Sequence, residues 1–356
     1  MRDVDAVILV GGQGTRLRPL TLSAPKPMLP TAGVPFLTHM LSRIAAAGMG
    51  HVVLGTSYRA EVFEEHFGRG DALGLEIDYV VETEPLGTGG GIRNVLPALR
   101  HDTAMIFNGD VLSGVDLTAL HATHRRQEAD VTLYLTRVQD PRAFGCVPTD
   151  ADGRVTAFLE KDPNPVTDQI NAGTYVFTRE VLESIPAGRP VSVERETFPA
   201  LLERGARVFA HVDSTYWRDL GTPADFVAGS ADLVRGIAPS AALPGAPGPS
   251  IQLPGAQVAA SANLTGGTVV GADCVVEAGA LVDGAVLFDG AVIDAAAIVR
   301  RSVIGRGARI GAGTVIEDAV IGDGAVIGAR NELRAGARVW PNVTIDDVSI
   351  RFSSDG

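Results

Sequence analysis

Residues Val299 to Leu333 read VRRSVIGRGARIGAGTVIEDAVIGDGAVIGARNEL, and an aliphatic side chain returns at nearly every sixth place. The series runs Val270, Val276, Leu281, Leu287, Ile293, Val299, Ile304, Ile310, Ile316, Ile321, Ile327, Leu333, Val339 and Ile345. Most steps are six residues and three are five. A period of six is neither the 3.6 of an α-helix nor the 2 of an extended strand. It fits a left-handed parallel β-helix, in which each unit makes one short face and three faces close a triangular coil. The aliphatic side chain points inward, and small residues permit the corners. Beyond residue 259 the only aromatics are Phe288, Trp340 and Phe352, as a narrow core requires. Such a coil buries its interior only by stacking on the next one.

Upstream, the segment 237–258 is rich in Pro, Gly, Ala and Ser and reads as a linker. That divides the chain into 1–236, a linker at 237–258, and a β-helix at 259–356. The first part alternates strand-like and helix-like stretches. Asp5–Val10, His51–Gly55, Ile77–Val81, Thr103–Asn108, Val131–Val138, Arg154–Glu160 and Gly173–Thr178 are strand-like. Leu37–Ala47, Arg59–Phe67, Gly89–Leu99, Asp116–Gln127, Val193–Arg204 and Pro223–Arg235 have helical spacing. This order predicts an α/β fold with a Rossmann-like, mostly parallel sheet covered by helices.

The net charge of −12 repels polyanions, so nucleic acid and anionic membranes are excluded as partners. Two cysteines, Cys146 and Cys274, make no disulfide framework, and no apolar run is long enough for a membrane span. Both features predict a cytoplasmic protein. Of 30 cationic residues only Lys26 and Lys161 are lysines. An ammonium at those two places does something the guanidinium used everywhere else does not.

Directly after the first strand comes GGQGTRLRPLTLSAPKPM, from Gly11 to Met28. Gly11, Gly12 and Gly14 allow a sharp turn that presents backbone N–H groups to an anion. The carboxyl end of a first parallel strand, here Leu9, is where open α/β sheets bind ligands. A Walker A loop is excluded because no Gly-Lys-Ser/Thr follows, and a dinucleotide fingerprint because Leu17 stands where glycine is needed. Thr15, Arg16 and Lys26, with Pro25 and Pro27 stiffening the backbone around the lysine, suit a polyphosphate. Two carboxylates follow strands: Asp110 in Phe107-Asn108-Gly109-Asp110, and Asp219 in Trp217-Arg218-Asp219-Leu220-Gly221. Either suits a hard divalent cation. His121 and His124 lie three apart on a helical stretch without a third ligand, and read as packed or solvated side chains.

These motifs resemble those of the sugar nucleotidyltransferases, along nearly the whole chain. The resemblance implies that Asp110 and Asp219 hold Mg²⁺ and that Leu9, Gly11, Gly12, Gly14, Thr15, Arg16, Lys26 and Gly87 line the nucleotide. It implies that Gly145, Glu160, Lys161 and Asn171 bind the sugar phosphate. Glu84-Pro85-Leu86-Gly87-Thr88-Gly89, Ser192-Val193-Glu194-Arg195-Glu196 and the repeat tail are most similar to mannose-1-phosphate guanylyltransferases. The implied reaction is attack of a sugar 1-phosphate oxygen on the α-phosphorus of a nucleoside triphosphate, with pyrophosphate leaving. Uridylyl or thymidylyl transfer to glucose 1-phosphate is the alternative substrate pair. A non-catalytic regulatory homologue is the alternative function. Acyl transfer by the tail is excluded for want of a histidine beyond His211. The flat faces of the coils predict a homo-oligomer built through the β-helix.

Overall fold

The computed structural model describes residues 1–57, 59–160 and 163–351. They form two compact units, each assembled from separate stretches of chain. One comprises Met1–Gly12 and Leu41–Trp217; the other comprises Gln13–Met40 and Arg218–Gly356.

The first unit is built on a nine-stranded sheet. Its order is Leu159–Glu160, Gly145–Cys146, Gln169–Thr178, Thr103–Asn108, Asp5–Leu9, His51–Thr56, Glu76–Val81. Val131–Arg137 also pairs with Gln169–Thr178, and Val208–Val212 pairs with Val131–Arg137. Asp5–Leu9 lies between two parallel neighbours, in register with Val52–Gly55 on one side and Ala104–Asn108 on the other. A central parallel strand is covered on both faces, which is why this one is unbroken apolar sequence after Asp5 and why Ala6, Val7 and Ile8 are fully buried. Gln169–Thr178 runs antiparallel to Thr103–Asn108. The Leu117–Arg126 helix is capped as its sequence requires: Asp116 accepts from the Thr118 and Ala119 N–H groups. The 193–204 stretch starts with a π-helical turn, Val193–Thr197, before the α-helix Phe198–Glu203. Aromatics fill the core here. Phe198 lies against Phe158 at 5.0 Å and against Tyr175 at 5.3 Å between ring centroids.

The second unit holds the β-helix, with three parallel sheets of six, six and five strands. Successive coils are in register at 17 residues, as in Val286↔Val303 and Val303↔Val320, or at 18, as in Ser250↔Thr268 and Val320↔Arg338. One inward position differs from the periodic reading. Val282 is fully buried and Leu281 is half-buried, so the short step falls between Val282 and Leu287. With that shift all three five-residue steps occupy the same corner of successive coils, after Val282, Val299 and Ile316. The backbone turns there through positive φ at Gly284, Arg301 and Asp318. The 237–258 segment is a second correction. It is not simply a linker, because Ser250–Gln252 and Gln257–Val258 are the first strands of two faces of the β-helix.

Gln13–Met40 is bound to this same unit by specific contacts. The Ala32 N–H donates to Ser230 Oγ at 2.9 Å, His39 Nδ1 lies 2.6 Å from Ser240 Oγ, and Gly33 sits against Leu253 and Pro244.

Candidate active site

In the first unit, Leu9 ends its strand half-buried, and its carbonyl accepts from the Gly109 N–H at 3.0 Å. The turn that carries Asp110 is thereby fastened to the end of the central strand. Asp110 is half-buried. The Gly11 carbonyl accepts from Ser57 Oγ at 2.6 Å, while Gly12 is exposed with open space about its Cα. Gly87 opens the Gly87–Val95 helix and is itself exposed.

Three of the residues expected to meet a sugar phosphate also belong to this unit. Gly145 and Glu160 are directly paired across an antiparallel ladder, with the Glu160 carboxylate against the Gly145 Cα. Asn171 sits at a register shift in the Gln169–Thr178 strand, an irregularity that re-aims side chains. Its Nδ2 donates to the Tyr175 hydroxyl at 2.8 Å, and its Oδ1 accepts from the Gly173 N–H at 3.1 Å. The Tyr175 hydroxyl also bonds Asn108, and burial raises its pKa well above that of an ordinary phenol. A buried, permanently neutral hydroxyl thus joins Asn171 to the residue two places before Asp110. The indole Nε1 of Trp217 donates to the Ala172 carbonyl at 3.0 Å, fixing the same bend from the other side. The fourth expected sugar-phosphate residue, Lys161, lies outside the described residues.

The second unit gathers the cations and the other carboxylate. Gly14 adopts φ 60°, a left-handed conformation, and starts the 3₁₀ turn Thr15–Leu17. Thr21 Oγ1 donates to the Gly14 carbonyl at 3.0 Å. Thr15 and Arg16 are exposed, and Leu17 anchors the turn with no exposure. Lys26 is 9% exposed, and its Nζ lies 4.0 Å from Asp219 Oδ1. Arg16 reaches the same place. A Cβ added to Gly221 would stand 2.5 Å from Arg16 Nη2 and 2.9 Å from Asp219 Oδ1. Glycine at 221 therefore leaves room for a guanidinium and a carboxylate side by side. Arg16, Lys26 and Asp219, up to 203 positions apart in sequence, form one charged cluster within a single unit.

Among the described residues no group of three or more His, Cys, Asp or Glu side chains is arranged to hold a metal ion. His124 is a packing residue, and His121 is half-buried. His124 is buried against Thr132 Oγ1 at 3.0 Å, and burial pushes its imidazole down to about 4. The donor set that remains is hard carboxylate oxygen, which fits Mg²⁺, an ion commonly held by one or two carboxylates with substrate phosphates completing its shell. Sequence reading missed Asn108, Tyr175 and Gly221. Their value lies in contacts that no local motif announces.

Known proteins resemble the chain along nearly its whole length. Residues 5–236 match the nucleotidyl transferase family, and residues 247–350 match the GMPPB C-terminal domain. The chain is 65% identical over 353 residues to the mannose-1-phosphate guanylyltransferase of Mycobacterium tuberculosis, covering 99% of this chain and 98% of that protein. It is 41% identical over 228 residues to the mannose-1-phosphate guanylyltransferase catalytic subunit beta of Drosophila pseudoobscura pseudoobscura, covering 63% of this chain and 61% of that one. Among solved structures, HddC from Yersinia pseudotuberculosis, complexed with GMP-PN, superposes with a TM-score of 0.56 at 29% identity, over 64% of this chain and 97% of its own. On the match of its first 236 residues and the near-complete alignment to an enzyme of that class, the chain belongs to the nucleotidyl transferase family.

Proposed function

We propose that this protein is a mannose-1-phosphate guanylyltransferase, joining GTP and mannose 1-phosphate to give GDP-mannose and pyrophosphate. The observation that carries the reading is 65% identity, end to end, to an enzyme of that name. The charge cluster of Arg16, Lys26 and Asp219 supports it chemically. The nucleophile in this reaction is already a phosphate anion, so no side chain has to remove a proton from it. The protein's task is to align two polyanions and offset their repulsion.

In this reading Arg16 and Lys26 bind the triphosphate and stabilise the leaving pyrophosphate. Leu9, Gly11, Gly12, Gly14, Thr15 and Gly87 line the nucleotide with backbone. Gly145, Glu160 and Asn171 orient the sugar, Asn171 held by Tyr175, and Lys161 takes the sugar phosphate. Asp110 and Asp219 would hold Mg²⁺, which when bound supplies Lewis-acid charge to the phosphates. No described helix is long and apolar enough to cross a membrane, and we place the enzyme in the cytoplasm. We also read it as a homo-oligomer through the β-helix. Val326, Trp340, Val343, Val348 and Ile350 leave an exposed apolar surface on the last coils that a second copy would cover. Light scattering at micromolar concentration tests this, and a monomer mass would refute it.

The activity is tested by pyrophosphate release with each nucleoside triphosphate against a panel of sugar 1-phosphates in Mg²⁺. GTP with mannose 1-phosphate is expected to give the highest kcat/KM. A preference for UTP or dTTP with glucose 1-phosphate would replace the substrate assignment, and silence throughout would refute the enzyme.

A further inference from the structure

The guanidinium of Arg338, on the last, two-stranded coil of the β-helix, reaches back to the signature loop. Its Nη1 donates to the Arg16 carbonyl at 2.9 Å and to the Arg18 carbonyl at 2.8 Å. These residues all belong to the second unit. Arg338 lies on the strand Arg338–Val339, whose neighbour Val339 is buried in the coil interior, so the arginine is based on a packed element. On the loop side, the Leu17 N–H donates to the Gly14 carbonyl at 2.9 Å and the Arg18 N–H to the Thr15 carbonyl at 3.2 Å. Those two bonds hold the inner side of the turn. The Arg16 and Arg18 carbonyls face outward, and Arg338 takes both with one charged nitrogen.

We infer that Arg338 is a positioning residue for nucleotide binding, holding the carbonyls of Arg16 and Arg18 on either side of the buried Leu17 so that the Arg16 guanidinium stays beside Asp219 and Gly221. The inference rests on the role proposed above for Arg16, and it gives the β-helix a direct part in the catalytic loop. Three features support it. The contact is bifurcated, so it fixes orientation and not distance alone. The donor is charged, which makes each bond stronger than a neutral one. The loop it braces is otherwise exposed at Thr15, Arg16 and Arg18, where water competes for the backbone. Arg338 touches no expected substrate residue through its own side chain, only the backbone of the loop that carries one.

The test compares the full-length protein with Arg338→Ala and Arg338→Lys. Steady-state kinetics should show a three- to tenfold rise in KM for the triphosphate in Arg338→Ala, since two charge-assisted bonds exposed to water are worth about that much. KM for the sugar 1-phosphate should hold, and Arg338→Lys should recover part of the loss. Amide hydrogen exchange of the free protein, which needs no turnover, should show faster exchange confined to residues 14–22 in Arg338→Ala. Unchanged exchange there, or a rise in both KM values with a lowered melting temperature, would overturn the positioning role. Should the wild type turn over no substrate at all, the exchange arm still decides whether the brace exists, while the guanylyltransferase reading alone falls. If Arg338→Ala does not fold, Arg338→Lys carries both readouts.

Discussion

The β-helix and the signature loop spend their residues in opposite ways. In the coils, each inward side chain repeats the work of one 17 or 18 positions away: Leu287, Ile304 and Ile321 stack in the same column, all essentially without exposure. In Gly11–Met28, no residue has a deputy. Gly14 takes the left-handed turn, Leu17 anchors it, and Arg16 and Lys26 reach the Asp219 corner from two directions. The contrast teaches where damage should register: as lost stability in the coils, and as lost chemistry in the loop and its carboxylates.

The largest effect expected is on turnover. Asp219→Asn and Asp110→Asn should each lower kcat by about 10²–10³-fold, the scale seen when a charge-stabilising group is removed from a transition state. Their thermal melting should stay close to wild type, because both side chains are only half-buried. Pyrophosphate release and a melting curve on the same samples check the pair of outcomes. A large loss of stability with the loss of turnover would erase the distinction drawn here. Next, Ile304→Ala should cost about 2–4 kcal/mol of unfolding free energy by opening a cavity in a coil that cannot collapse around it. Its kcat should be preserved, as denaturant titration and kinetics together would show. A fall in kcat at full folding would mean that the column of aliphatic side chains matters to the reaction directly.

The smallest effect sharpens the comparison from within the first unit. His51 lies between Asp5 and Asp78, with ring nitrogens 2.7 and 2.9 Å from their carboxylates. Burial pulls its pKa down, but the hydrogen bonds to the two carboxylates outweigh that and hold it above the ordinary value. Asp5 is held below its ordinary value. Its burial acts the other way, and is overcome by His51 and by the Arg100 and His101 N–H groups. A raised histidine contributes fully below its unfolded value near 6.5, and the contribution disappears as pH rises through the folded value. His51→Gln should therefore lose about 1 kcal/mol near pH 6, and less near pH 9. Melting temperatures at the two pH values check the sign, and a deficit that grows with pH would contradict it.

How much of this was legible in the chain follows the same divide. A six-residue period survives in any single sequence, so the coils were readable, down to their aliphatic columns. Only Leu281 was misplaced, since Leu281 and Val282 are both aliphatic and a column cannot choose between neighbours without its corner. The start of the β-helix was also hidden. Ser250–Gln252 and Gln257–Val258 belong to coils whose corner residues, rich in Pro and Gly, look like a linker. The glycine loop stood out because its glycines and cations have a chemical logic at short range. What holds it was not. Gly221 lies 205 positions from Arg16, and Arg338 lies 322 from the carbonyl it bonds. Tyr175 lies unremarked inside a strand-like stretch, and its hydroxyl gains meaning only from Asn171 and Asn108.

The membership of Gln13–Met40 in the later unit has a consequence for biosynthesis. In chain order these residues are made well before the helix and coils they rest on, which begin beyond Arg218. At roughly 5–20 residues per second, the 322 positions between Arg16 and Arg338 take about 15–60 s to translate. During that interval the nascent chain carries the signature loop without the arginine that braces it. A polypeptide terminated before residue 338 would carry the loop without these two bonds, however completely the rest of its contacts had formed.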